Sequence, residues 1–273
     1  MAYRDILVNL SRDRRSPARL EAAVGLAERH GGRVTGVYVH SRPTARERHS
    51  LDVPADASRK RNRQQSDPAA EAEREFAERM ARTEVLHEWR LLQGSPVEAV
   101  TTCARYADIT IVGQTDSDDE AGIAGLVDHL VLEAGGPVLV WPFAGTFDTR
   151  AETVLLAWNG TREAKRALSD ALPLLRQANN VIVFSIGTDD GTHLPGAEAS
   201  AHLARHGVKA DARHRPASSD IAAADVLLSA ISDYGVDLLV MGAYGHHRLR
   251  ELLLGGMTRD ILRRMTVPVL MSH

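Results

Sequence analysis

Only one cysteine, Cys103, is present, which excludes an internal disulfide and makes a reducing cytoplasm the expected compartment. Aromatic residues are scarce at 4%, so the cores have to be assembled from Leu, Val, Ile and Ala. That composition suits parallel sheets covered by helices. No apolar run approaches the roughly 20 residues that cross a bilayer, and no membrane association is expected. Met1-Ala2-Tyr3-Arg4-Asp5-Ile6 has no apolar h-region and enters a strand at once, so no secretory leader is expected. The formal net charge is only −3, which gives no electrostatic case for nucleic acid. Also missing are the Gly-x4-Gly-Lys-Ser/Thr loop, the Gly-x-Ser-x-Gly elbow and the Cys-x-x-Cys pair. No catalytic residue is nominated.

What the 273 residues do contain is a repeat. Ala107-Asp108-Ile109-Thr110-Ile111-Val112-Gly113 aligns with Val236-Asp237-Leu238-Leu239-Val240-Met241-Gly242. Downstream, the run 136–141 (Gly-Pro-Val-Leu-Val-Trp) aligns with 266–271 (Thr-Val-Pro-Val-Leu-Met). At the front of each copy, residues 6–10 match 154–158. These matches predict two domains, 1–146 and 147–273, joined near 144–150.

Within each copy, continuous Val/Ile/Leu runs alternate with helical patterns, the mark of strands buried on both faces. Strands are predicted near 6–10, 33–39, 85–91, 109–112 and 138–141, and again near 153–158, 181–186, 210–215, 237–241 and 268–271. In the second copy, helices are predicted near 162–177, 197–206, 221–234 and 257–265. The fold class expected is α/β, with two repeated domains, each an open five-stranded parallel sheet with helices on both faces. Residues 41–68 are polar and read as an exposed loop. The acidic run 116–120 reads as a solvated loop that lacks the spacing of a calcium site.

The motif with chemical content lies near the C-terminus. A strand ending at Met241 runs into Gly242-x-x-Gly245, and after nine more residues comes Gly255-Gly256. Glycine at 242 can leave the strand at dihedrals other residues avoid, and at 245 it permits close approach to the main chain. The helix opening near Met257 presents free N–H groups and a positive dipole end, which suit a phosphate. Such turns bind ligands at the carboxyl ends of strands, where the winding reverses.

With these residues in hand, the chain resembles a tandem universal stress protein along essentially all of both halves, the polar loop excepted. ATP-binding members of that family carry Gly-x2-Gly-x9-Gly-Ser/Thr after the fourth strand, matched here by Gly242, Gly245, Gly255 and Gly256. Their first strand ends in Asp-Gly-Ser, matched by Asn159-Gly160-Thr161, and their last reads Val-Pro-Val-Leu, as do residues 267–270. The resemblance implies the adenine-nucleotide alpha hydrolase-like form of the fold and ATP as ligand, with ADP or AMP as alternatives and Mg as counter-ion. By position it implies that Ala157 and Asn159 border base and ribose, with Ile186 against adenine. It implies Met241, Gly242 and Gly245 at the ribose and phosphate turn, and Gly255, Gly256 and Met257 as backbone donors to phosphate.

Two departures stand out. Gly256 replaces the family's Ser/Thr, which removes a hydroxyl donor worth roughly 1.5–3 kcal/mol. Asn159 replaces Asp, exchanging a carboxylate for a weaker amide acceptor. The first copy departs further: Asp116 stands in place of the second glycine and Ser11 in place of the aspartate. That half is expected not to bind ATP but to pair with the second as a pseudo-dimer, through the edge strands led by Pro137 and Pro268.

Other candidates carry less. His246, His247, Arg248 and Arg250 read either as a cationic rim near the phosphates or as a solvated loop. His202 and His206 are four apart on a helix and read as surface histidines, with no metal site expected. Asp170, Asp220 and Asp225 read as caps or exposed charges. The function expected is that of a cytoplasmic stress-response protein that binds an adenine nucleotide in its C-terminal domain and acts through conformation or an unidentified protein partner, as a chain able to form homodimers. The alternatives are an interaction protein of the same fold without nucleotide, or a slow ATPase.

Overall fold

A computed structural model describes residues 2–40, 67–115, 125–148, 150–187, 196–217, 220–245 and 256–273. In the first half, β1 (Asp5–Leu10), β2 (Arg33–His40), β3 (Leu86–Gln93), β4 (Ile109–Gly113) and β5 (Val138–Trp141) alternate with helices. These are α1 (Ser16–His30), α2 (Pro68–Met80), α3 (Pro96–Ala104) and α4 (Leu126–Glu133). The second half holds β6 (Thr153–Ala157), β7 (Asn180–Gly187), β8 (Ala210–Pro216), β9 (Leu238–Gly242) and β10 (Val269–Ser272). Its helices are α5 (Arg162–Asp170), α6 (Leu172–Leu175), α7 (Ala197–Arg205), α8 (Ala223–Asp233) and α9 (Gly256–Arg264).

Residues 41–66 of the expected polar loop lie outside the described residues, as do the acidic run 116–120, the rim residues 246–250 and Gly255. Asp67 and Pro68 belong to α2 instead of the loop. The Asp67 carboxylate caps that helix by accepting from Ala69 N at 3.0 Å, and Pro68 occupies the first turn, where no N–H is needed.

Each half winds in the same order, β3-β2-β1-β4-β5 and β8-β7-β6-β9-β10, so the repeat in sequence is a repeat in topology. Neighbours within each half are parallel. The two expected sheets are halves of one ten-stranded sheet. The strands that follow Pro137 and Pro268 pair antiparallel at the join, Val140 opposite Val269 and Val138 opposite Met271. Both core layers cross this join. Leu139 and Trp141 pack with Leu174, Leu238 and Leu270 on one face, and Val138 and Val140 with Met265, Val269 and Met271 on the other.

The long helix expected over 162–177 is broken. Pro173 has no N–H to continue the ladder of α5, so the chain pivots at Ala171 and restarts as α6, with Leu174 N and Leu175 N both donating to Ala171 O at 2.9 Å.

Candidate functional site

Strand β6 lies between β9 and β7, with Ala157 opposite Met241 on one side and Phe184 on the other. From β6 the chain winds outward to β7 and β8, then returns to β9 and β10 on the other side, so the winding reverses between β6 and β9. Such a reversal leaves a crevice at the strand carboxyl ends. Ala157, Met241 and Gly242 end the two strands that flank it, Ile186 lies near the end of β7, and Asn159 and Gly245 belong to the loops that follow β6 and β9. Met241 gives its side chain to the core. Gly256 and Met257 open α9, and a methyl group added at Gly256 would meet nothing within 4 Å among the described residues.

The loop after β6 is held by its own side chains. Asn159 Oδ1 accepts from Thr161 N at 3.2 Å and from Thr161 Oγ1 at 2.9 Å, while Thr161 Oγ1 caps α5 by accepting from Ala164 N at 3.3 Å. The amide oxygen expected to face a ribose or base therefore serves the turn.

The two glycines after β9 are required by space. Neither has positive φ; among described non-glycine residues, the left-handed position of this turn falls on Tyr244, at φ 58°. A methyl group at Gly242 would lie 2.4 Å from Ala164 N and 2.5 Å from the Glu163 carbonyl carbon, so this glycine lets β9 press against the first turn of α5. At Gly245 the methyl would lie 2.7 Å from Glu163 Oε2 and 3.4 Å from Thr161 Oγ1.

Glu163 is the functional candidate that sequence reasoning missed. It is only 4% exposed, yet it reads in sequence as an ordinary acidic residue of a helix first turn. Burial pushes its carboxyl up, but the Arg162 guanidinium, its own main-chain N–H and the Thr161 hydroxyl outweigh this and hold it below the usual range. The group is an ionised carboxylate, with Oε1 accepting from Arg162 Nε and Oε2 turned toward Gly245.

In the first half, the matching space beside Gly113 is filled by Arg19, which is 1% exposed; a methyl group on Gly113 would lie 2.7 Å from its Nη1. Arg19 donates to both oxygens of Asp13 at 2.8 and 2.6 Å, to Ser11 Oγ at 3.0 Å and to Asn9 O at 3.1 Å. Burial raises the Asp13 carboxyl, and the hydrogen bonds and charge of Arg19 more than reverse that, leaving it lowered. The space beside this glycine is thus taken by the chain's own ion pair.

The halves also touch through polar groups beside the site. The Tyr244 hydroxyl donates to Asp128 of α4. Gln114 Nε2, just past β4, donates to Leu262 O at 2.7 Å near the end of α9. Asp170 accepts from Ser272 Oγ at 2.8 Å, so it ties α5 to β10 and is more than a cap. Asp225 pairs with Arg264 at 2.5 Å. The His202 and His206 rings lie 4.7 Å apart.

Comparison with known proteins centres on the second half. Residues 151–273 match the sequence model of the Universal stress protein family. A 38-residue stretch is 50% identical to a universal stress protein of Synechocystis, covering 14% of this chain and 13% of that protein. A 44-residue stretch is 36% identical to a universal stress protein of Methanocaldococcus jannaschii, covering 16% of this chain and 27% of that one. The matches thus span far less than two thirds of either curated relative. Over 98% of its length the chain follows the crystal structure of a universal stress protein from Archaeoglobus fulgidus, with TM-score 0.74, 15% identity and 96% of that chain covered. At this identity the likeness is one of fold.

Proposed function

On the match of residues 151–273 to the universal stress protein family model, we propose that the chain binds an adenine nucleotide at the crevice between β6 and β9. One observation carries the reading: the Gly242–Gly245 turn stands at the strand ends where the winding reverses, the position at which open α/β sheets take ligands. Ala157, Asn159 and Ile186 would border base and ribose, while Met241, Gly242 and Gly245 would line the turn. Gly255, Gly256 and Met257 would offer main-chain N–H groups to phosphate. The open space at Gly256 fits that role. The Glu163 carboxylate over Gly245 does not. ATP is the first ligand to test, followed by ADP and AMP, with Mg as its counter-ion. Residues 1–146 and 147–273 are the proposed domains, of which the first is the partner that supports the site and leaves its own crevice closed. The whole would serve a cytoplasmic stress response through conformation or a protein partner.

Calorimetric titration of folded, nucleotide-stripped protein with ATP is the test. Saturable heat supports the reading, and it is removed if ATP, AMP and adenosine all give none at millimolar ligand. A second reading, an interaction protein without nucleotide, is favoured by the Asn159 oxygen being spent on Thr161. Recovery of bound nucleotide from freshly purified protein would count against it. A slow ATPase has no identified general base to support it.

A further inference from the structure

We propose that Glu163 sets the ligand specificity of the crevice: its carboxylate stands over the Gly245 main chain where a nucleotide phosphate would have to settle, so the site favours the uncharged nucleoside over its phosphates. The inference rests on the adenine-nucleotide reading and concerns which form of that ligand is accepted.

Three observations carry it. Glu163 is 4% exposed, and its Oε2 lies 2.7 Å from the position a side chain would take on Gly245. Its other oxygen is engaged by Arg162 Nε, and Oε2 is the oxygen directed at the turn. The neighbouring backbone leaves the carboxylate little room to retreat, because Gly242 already brings β9 against the main chain of residues 163 and 164. The first turn of α5 attracts an anion through its free N–H groups and dipole, and the chain supplies that anion itself. An incoming phosphate meets a like charge in a partly buried setting, where repulsion is poorly screened. An uncharged ribose or base meets a hydrogen-bond acceptor. The lowered carboxyl pKa keeps the charge in place at neutral pH.

The test compares adenosine, AMP and ATP binding to wild type, Glu163→Gln and Glu163→Ala by calorimetry, with EDTA present so that no bridging cation offsets the carboxylate. Wild type is expected to bind adenosine more tightly than ATP. Glu163→Gln, which keeps the shape and removes the charge, should tighten ATP at least tenfold and leave adenosine within about twofold. Glu163→Ala should tighten ATP as well, and circular dichroism checks that each variant is folded. If adenosine and ATP bind all three proteins in an unchanged ratio, the specificity role is overturned while the nucleotide reading stands. If none of the three ligands binds any folded variant, the nucleotide reading fails and this inference with it.

Discussion

The hydroxyl of Tyr244 donates a hydrogen bond to Oδ1 of Asp128, tying the turn after β9 to α4 of the other half. Tyr244 holds a left-handed backbone at φ 58°, a conformation that costs about 1 kcal/mol for a residue with a side chain. Burial raises its phenol, and the Asp128 carboxylate raises it further, so it remains a donor at physiological pH. Gln114 reaches across in the same sense to Leu262 O. The proposed ligand turn and the helix after it are therefore each held by a residue of the first half.

Replacing Tyr244 with Phe deletes the hydroxyl and leaves a half-buried carboxylate one donor short. A hydrogen bond to a charged group contributes about 1.5–3 kcal/mol, and a loss near the lower figure is expected. Asp128→Asn keeps an acceptor and should cost less. The denaturant midpoint should fall in that order with an unchanged slope. Equal stability of Tyr244→Phe and wild type would contradict the tether.

The Arg19–Asp13 pair should govern acid stability of the first half. With its folded carboxyl below the unfolded value near about 3.9, Asp13 contributes fully above that value and loses the contribution as pH falls through the folded one. Arg19→Met removes one partner of a largely buried pair and should cost about 3 kcal/mol at neutral pH. The variant should also lose the wild type's extra destabilisation below about pH 4. Unfolding curves measured from pH 7 to pH 3 decide this, and parallel pH profiles of variant and wild type would refute it.

Gly242 and Gly256 are expected to respond oppositely to alanine. At 242 the new methyl would sit 2.4 Å from a main-chain nitrogen, an overlap that rigid backbone relieves only by moving β9 or α5, at about 2 kcal/mol or more. At 256 it meets no described residue within 4 Å, and exchanging glycine for alanine in a helix gains about 0.5 kcal/mol. Thermal melts of both variants separate the two outcomes. A tolerated Gly242→Ala would undo the close-packing account.

Gly256→Ser should build a hydroxyl at the first turn of α9, since no described residue lies within 4 Å of the Cβ it adds. If phosphate settles there, ATP affinity should rise about tenfold, the worth of one hydrogen bond to a charged group. Adenosine binding should be unmoved. A matching gain for adenosine would mean that the hydroxyl acts on something other than phosphate.

Much of the architecture was legible because it depends on local pattern. Val/Ile/Leu runs such as 109–112 and 138–141 read as buried strands, and the repeat placed their counterparts near 237–241 and 268–271, where the strands Leu238–Gly242 and Val269–Ser272 form. Pro137 and Pro268 marked the strands that pair across the join. The break at Pro173 was also available to reading, but the apolar pattern on both sides carried the predicted helix through it.

The proposed site was read from its glycine spacing, and its charges were not read at all. Gly242-x-x-Gly245 marked the turn correctly, although the reason for the glycines lies in α5, some eighty residues earlier in the chain. Nothing in the residue pattern singled out Glu163 or Arg19, and both are buried. The partners of each charge are local, Arg162 and Thr161 for Glu163 and Asp13, Ser11 and the Asn9 carbonyl for Arg19, whereas the burial comes from the strand packed against them. The order of strands and helices, their repetition and the glycine turn were thus written in residue type and spacing. Which side chain fills the space beside each strand-end glycine is decided by the tertiary fold, because it is the packing of Gly113 on Arg19 and of Gly242 and Gly245 on Glu163 that buries charges whose partners their own segments supply.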